Sequence, residues 1–247
     1  MQKVTKAVVT AAGYATRFLP ITKAVPKEML PLGDKPVIHY ILAELEAAGI
    51  TDVLLLVGRG RECLLNYLDK NYEIDDHLDK VGSIIKTNFF PKLNIYYRRV
   101  PMPKGVADCV WHARSFAGSG PFLLAYSDDV FFGANPTDEL LAKHKKTKQS
   151  AILCSRVPIE EAHKYGVVGP SGEITEKPAS PSSDLVAVGR YLLTPEIFDI
   201  LKATNFVCMT KALNKLENKS IVVTGALRFD TGNKEGFFKA FEYVMRH

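Results

Sequence analysis

The chain has 247 residues, 32 basic against 27 acidic side chains for a formal charge of +5, and 47% hydrophobic with 24% charged residues. A chain of this size builds an ordinary hydrophobic core unaided, and its composition excludes disorder, collagen-like repeats and coiled coil as the main content. The small positive excess suits phosphorylated small molecules rather than nucleic acid, because the one dense basic run, Lys143 to Lys148, lacks interleaved aromatics and reads as a solvated helix end.

The N-terminal residues carry no apolar core of signal-peptide length, and no apolar run is long enough to span a bilayer, so the expected setting is the cytoplasm without a membrane partner. The first element is a strand over Ala7-Val8-Val9-Thr10, short and apolar on both faces as buried parallel strands are. A helix follows, with Ile38, Ile41, Leu42 and Leu45 on one stripe and Gly49 as its C-cap. Next come a strand over Val53–Val57, a helix from about Val106 to Phe116, and strands over Phe122–Tyr126 and Ala151–Cys154. Further strands are expected over Val186–Leu192 and Ile221–Leu227, and a last helix from Asn233 to His247. Strand and helix alternating in this way predict an α/β fold, a mostly parallel sheet flanked by helices. There is no internal repeat and no linker long enough to separate two domains. Cys63, Cys109, Cys154 and Cys208 are widely spaced with no C-x-x-C, which predicts four buried thiols rather than disulfides or a zinc site.

In such sheets ligands bind beyond the carboxyl ends of the strands. That rule selects the loop after Thr10, the loop before Gly105, and Ser127-Asp128-Asp129. The first of these reads Ala11-Ala12-Gly13-Tyr14-Ala15-Thr16-Arg17 and leads to Pro26-Lys27-Glu28-Met29-Leu30-Pro31. Small residues after a buried strand let backbone N–H groups approach an anion, and Arg17 and Lys27 add two positive charges on the same connection. The stretch has neither G-x-G-x-x-G nor a P-loop, which disfavours dinucleotide oxidoreductases and Walker-type ATPases. Asp129, next to Asp128 in an extended segment, should face the other way.

The segment Lys6 to Pro36 closely resembles the opening signature of the sugar-1-phosphate nucleotidyltransferases, and its P-K-E-M-L-P form is similar to that of the bacterial UTP–glucose-1-phosphate uridylyltransferases. Matching motifs follow in family order: Val57-Gly58-Arg59-Gly60-Arg61, Asn71-Tyr72-Glu73-Ile74-Asp75, Ser127-Asp128-Asp129, Tyr165-Gly166-Val167-Val168, Glu176-Lys177-Pro178, Val188-Gly189-Arg190-Tyr191 and Phe229-Asp230-Thr231-Gly232. The resemblance implies a single Rossmann-like domain, with a nucleotide-binding part over about 1–135 and a sugar-phosphate-binding part over about 136–247. It implies transfer of a uridylyl group from UTP to glucose 1-phosphate, a nucleoside triphosphate and a sugar 1-phosphate as partners, and a homo-oligomer, dimer or tetramer. Arg17 and Lys27 would hold the triphosphate, with Ala11, Ala12, Gly13, Thr16, Glu28 and Gly105 as nucleotide contacts. Asp128 and Asp230 would bind Mg²⁺. Lys177 would grip the sugar phosphate, Glu176 the sugar hydroxyls, and the backbone of Gly166 would lie against the sugar.

Three departures carry expectations of their own. Ala15 stands where the family has a second glycine, and alanine tolerates positive φ poorly. Val100 stands at the position of a base-reading glutamine and cannot hydrogen-bond a pyrimidine edge, so either Arg99 or Glu28 takes that contact or base selectivity is weak; Gly105-Val106-Ala107 is similar to the thymidylyltransferase pattern. Phe206 and Lys211 replace acidic positions of the uridylyltransferase string, which points to altered sugar specificity or subunit contacts.

Overall fold

Val8 and Val9, Leu55 and Leu56, and Leu123 and Leu124 are all fully buried, because the three runs that contain them lie side by side at the centre of one mixed sheet. The computed structural model describes residues 3–102, 104–205 and 208–247; Phe206 lies outside them. In chain order the strands are β1 (Lys6–Ala11), the two-residue β2 (Pro31–Leu32) and β3 (Lys35–Pro36), β4 (Asp52–Val57), β5 (Asn94–Arg99), β6 (Phe122–Tyr126) and β7 (Asp129–Phe132). They continue with β8 (Ser150–Arg156), β9 (Gly166–Val168), β10 (Ile174–Glu176), β11 (Leu185–Leu193), β12 (Lys219–Val223) and β13 (Leu227–Asp230).

Strands β6, β1, β4 and β5 are parallel neighbours in that order, with Val8 level with both Leu54 and Leu124. The chain runs outward from β1 through β4 to β5, then returns to the far side of β1 as β6. This reversal opens a crevice beyond the carboxyl ends of β1 and β6. The sheet continues on that side through β11, antiparallel to β6, to β9 and β10, while β8 pairs with β11 and β12. Alternate residues feed two cores. Val9, Leu55 and Leu123 pack toward the helices Val37–Ala47 and Pro136–Thr147, and Val8, Leu56 and Leu124 toward Val106–Trp111, Glu196–Ala203 and Met209–Asn214.

The structure corrects three expectations. The helix expected over 106–116 is two short ones, Val106–Trp111 and Arg114–Ala117, because the amides of His112 and Ala113 bond three residues back and tighten the turn. The strand expected over 221–227 ends at Val223. There the Thr224 hydroxyl accepts from the Ala226 amide and Glu139 accepts from that of Gly225, and the chain leaves the sheet as β13. Strand β11 is bulged between Ala187 and Tyr191. Gly189 in that bulge sits so tightly that a Cβ would lie 2.6 Å from the Tyr126 Cβ. Finally, only Cys109 and Cys154 are buried, their thiols pushed up by burial to about 11 and about 12; Cys63 is exposed and Cys208 half-buried. No helix among the described residues is long and apolar enough to cross a membrane.

Candidate active site

The carboxylates come first. Beyond the end of β6 the chain turns through Ser127 and Asp128 and starts β7, which pairs with β13 outside the main sheet and sets Asp230 opposite Asp129. Thr231 holds the turn from across, its amide and hydroxyl donating to the Asp128 carbonyl at 2.7 and 2.8 Å. The Asp128 and Asp230 side chains then converge over Gly232. A Cβ there would collide with Asp128 Oδ2 and stand 3.0 Å from Asp230 Oδ1. Asp129 turns away, as the alternation of an extended segment requires: it accepts from the Gly189 amide at 2.5 Å and pairs with Arg228 at 2.6 Å. Arg228 also stacks on Tyr165, 4.7 Å from the ring centre.

Lys27 is ion-paired with Asp128. Burial would push the Asp128 carboxyl up, but the Lys27 ammonium, assisted by Arg228, holds it below the usual carboxylate range. Burial likewise works against the charge on Lys27, and Asp128, then Glu28, more than reverse it. Asp129 titrates higher than usual, raised by burial and by Asp230 and Asp128 against the pull of Arg228. Asp230 Oδ1 accepts from the Gly232 amide at 2.9 Å, and two neighbouring carboxylates of this kind suit a small divalent cation that completes its shell with water and phosphate oxygens. Among the described residues no group of three or more His, Cys, Asp or Glu offers an all-protein cage.

The loop after β1 lies beside this pair. Gly13, Thr16 and Arg17 are exposed, while Ala11 and Ala12 are buried. Arg17 reaches the Gly232 carbonyl at 3.4 Å. Ala15 has φ 52°, a left-handed conformation costing a residue with a Cβ roughly 1 kcal/mol or more. Replacing it by glycine should remove that strain: Ala15→Gly is expected to stabilise by roughly 0.5–1 kcal/mol and to raise the melting temperature by about 1–4 °C. A lower melting temperature would mean that the alanine methyl is needed where it stands.

Glu28 corrects an expectation. Its side chain is wholly buried, accepts from Ser127 Oγ at 3.0 Å and faces Arg61 at 3.6 Å. Burial raises its carboxyl, against Lys27 and Arg61. A group so enclosed has no atom to offer a base. Val100 is equally enclosed, 1% exposed and part of the core that contains Ala12 and Ala107.

On the far side the cleft opens to a volume of about 500 Å³, and Arg17, Gly105, Asp128, Gly166, Glu176, Lys177 and Asp230 all line it. Gly166 pairs with Glu176 across β9 and β10. A Cβ at Gly166 would come within 2.9 Å of Ile174 Cγ2 and 3.6 Å of Glu176 Oε2, so only glycine leaves this wall open. Thr210 donates to Glu176 at 2.5 Å. Lys177 has φ 45° just before Pro178, and its amide is tied to the Tyr165 carbonyl at 2.9 Å. Strain of this kind in a residue with a side chain persists where the surroundings enforce it, and it clusters at functional sites.

The family model described as nucleotidyl transferase matches residues 6–246. The chain belongs to the nucleotidyl transferase family. It is 36% identical to a UTP–glucose-1-phosphate uridylyltransferase of Streptococcus pyogenes over an alignment covering 100% of this chain and 91% of that one. Its fold superposes on apo UDP-glucose pyrophosphorylase with a TM-score of 0.89 at 31% identity, covering 98% of both chains. A UDP-glucose pyrophosphorylase complexed with UDP-glucose gives 0.85 at 30% identity, covering 98% of this chain and 99% of that one.

In this nucleotidyl transferase the cleft brings residues from both ends of the chain together. Lys27 reaches it through Asp128, and Ala11, Ala12, Gly13 and Thr16 border it without lining it. Sequence reasoning gave no role to Arg61, Arg190, Thr210 or Arg228. Arg61, Arg190 and Arg228 stand within or next to quoted motifs, which was the only signal available. The motif does not disclose the partners of Arg190, because Glu44 and the carbonyls of Tyr126 and Asp129 come from distant parts of the chain.

Proposed function

We propose that this nucleotidyl transferase moves a uridylyl group from UTP to glucose 1-phosphate, forming UDP-glucose and releasing pyrophosphate. The observation that carries the reading is the crevice between β1 and β6, where Asp128 and Asp230 converge with Arg17 and Lys27 at one end and Glu176 and Lys177 at the other. The names of the relatives support the choice of substrates. A phosphate oxygen of the sugar phosphate bonds to the α-phosphorus as the bond from that phosphorus to the β-phosphate oxygen breaks. Such a transfer needs in-line positioning and charge neutralisation more than covalent catalysis. Arg17 and Lys27 neutralise the departing pyrophosphate, Lys177 holds the attacking phosphate, and Glu176 accepts from the sugar hydroxyls. Mg²⁺, held by Asp128 and Asp230, would supply further neutralisation at the phosphates. A cytoplasmic setting is part of the same reading.

The test is pyrophosphate release with Mg²⁺ across UTP, dTTP, CTP, ATP and GTP, each against glucose 1-phosphate and other sugar 1-phosphates. UTP with glucose 1-phosphate should give the strongest signal. Because Val100 offers the base no hydrogen bond, dTTP should be the nearest competitor; silence with every pair would refute the proposal. Lys177→Ala separates the two substrates: the KM for glucose 1-phosphate should rise about 10- to 100-fold, the worth of a charged hydrogen bond, with the KM for UTP changing much less. Equal rises in both would remove Lys177 from the sugar side.

A further inference from the structure

Arg61 follows β4, touches neither Asp128, Asp230 nor Lys177, and is built into the loop after β1. Its Nε donates to the Ala11 carbonyl at 3.1 Å, one terminal nitrogen to the Gly13 carbonyl at 2.6 Å, and the other to the Arg59 carbonyl at 3.2 Å. The side chain is only 10% exposed, and its charge faces the buried Glu28. Glu28 Oε2 makes no hydrogen bond, and Arg61, 3.6 Å away, adds to Lys27 in balancing that carboxylate.

A trans peptide is planar, with C=O and N–H pointing in opposite directions. The carbonyl of Ala11 shares its peptide with the amide of Ala12, and the carbonyl of Gly13 with that of Tyr14. By holding both carbonyls, Arg61 turns both amides away from itself, and nearby backbone amides aimed alike form an anion cradle. The same contacts reach further. Glu28 follows Lys27 in the chain and accepts from Ser127, which precedes Asp128. One buried carboxylate therefore sets the loop, Lys27 and Asp128 in a common frame.

We infer that Arg61, anchored by Glu28, is a positioning residue that presents the Ala12 and Tyr14 amides to the triphosphate and so governs binding of the phosphates rather than of the sugar. The inference rests on the nucleotide reading above. It is tested with Arg61→Gln, Arg61→Lys and Glu28→Gln in the full chain, by calorimetric binding of UTP, by the KM for each substrate, and by thermal melting to confirm folding. Arg61→Gln should weaken UTP binding about 10- to 100-fold and Glu28→Gln several-fold, with the KM for glucose 1-phosphate unchanged within about threefold. Arg61→Lys should fail to restore affinity, because one ammonium does not span two carbonyls as a guanidinium fork does.

Full rescue by lysine would overturn the inference, since charge alone would then suffice. So would an unaffected Glu28→Gln beside a weakened Arg61→Gln, which would make Arg61 a direct phosphate ligand. Equal losses for both substrates would mean general damage and overturn it too. Wild-type protein that does not bind UTP would bring down the nucleotide reading and this inference together, whereas a UTP-binding wild type with unchanged variants would bring down this inference alone.

Discussion

Asp128→Asn and Asp230→Asn, made separately, are each expected to cut turnover about 10³-fold or more while the protein stays folded. The size follows from the chemistry: cation-assisted neutralisation of a phosphoryl transition state is worth several kcal/mol, and each 1.36 kcal/mol is a factor of ten in rate. An amide oxygen keeps the shape and loses the charge. Stability should barely move, because Asp128, Asp129 and Asp230 crowd one end of the β7–β13 ribbon and the first and last both raise the Asp129 carboxyl. Removing one charge relieves that repulsion, and in Asp128→Asn the relief offsets part of the lost pair with the partly exposed Lys27, so that variant should melt only slightly lower. Pyrophosphate release under saturating substrates and thermal melting check both halves. Near-normal turnover in either variant would remove that carboxylate from the site, and a collapse of the melting temperature would make its role structural.

The contrast with Asp129 indicates what a sequence can disclose. Asp128, Asp129 and Asp230 stand in recognisable strings, and the period of an extended chain already separates Asp128 from Asp129. That Asp230 meets Asp128 depends on pairing two short strands about a hundred positions apart, which no local pattern encodes. The same division runs through the fold. Strands β1, β4 and β6 were legible because they are buried on both faces and so carry unbroken apolar runs. Strand β5, Asn-Ile-Tyr-Tyr-Arg-Arg, lies at the sheet edge with Tyr96, Tyr97, Arg98 and Arg99 exposed, and it escaped notice. Glu28 was legible as a residue of the site and illegible as a buried one. Its enclosure comes from Ser127 and Arg61, each brought from a different strand end.

Glu44→Gln is expected to produce the largest loss of stability, about 3 kcal/mol, seen as a fall in melting temperature of roughly 6–12 °C. Arg190, in the bulge of β11, is fully buried and shares two 3.0 Å hydrogen bonds with Glu44 on the helix Val37–Ala47. Its remaining donors go to the carbonyls of Tyr126 and Asp129 at 3.0 Å and Gly189 at 3.1 Å, and its plane lies 5.2 Å from the Phe131 ring centre. The carbonyls of Tyr126 and Asp129 lie on either side of Asp128 in the chain. Neutralising Glu44 leaves a buried cation with only dipoles around it, and the turn carrying Asp128 loses the helix that steadies it, so turnover should fall along with stability. Replacing both partners by apolar residues of similar volume tests the cause. If the cost is the stranded charge, Glu44→Met with Arg190→Met should be more stable than Glu44→Gln, though no more active, because the carbonyls beside Asp128 would still lack their donor. A double variant less stable than the single one would show that the hydrogen bonds of Arg190 to the backbone, more than its pairing with Glu44, hold this part of the fold.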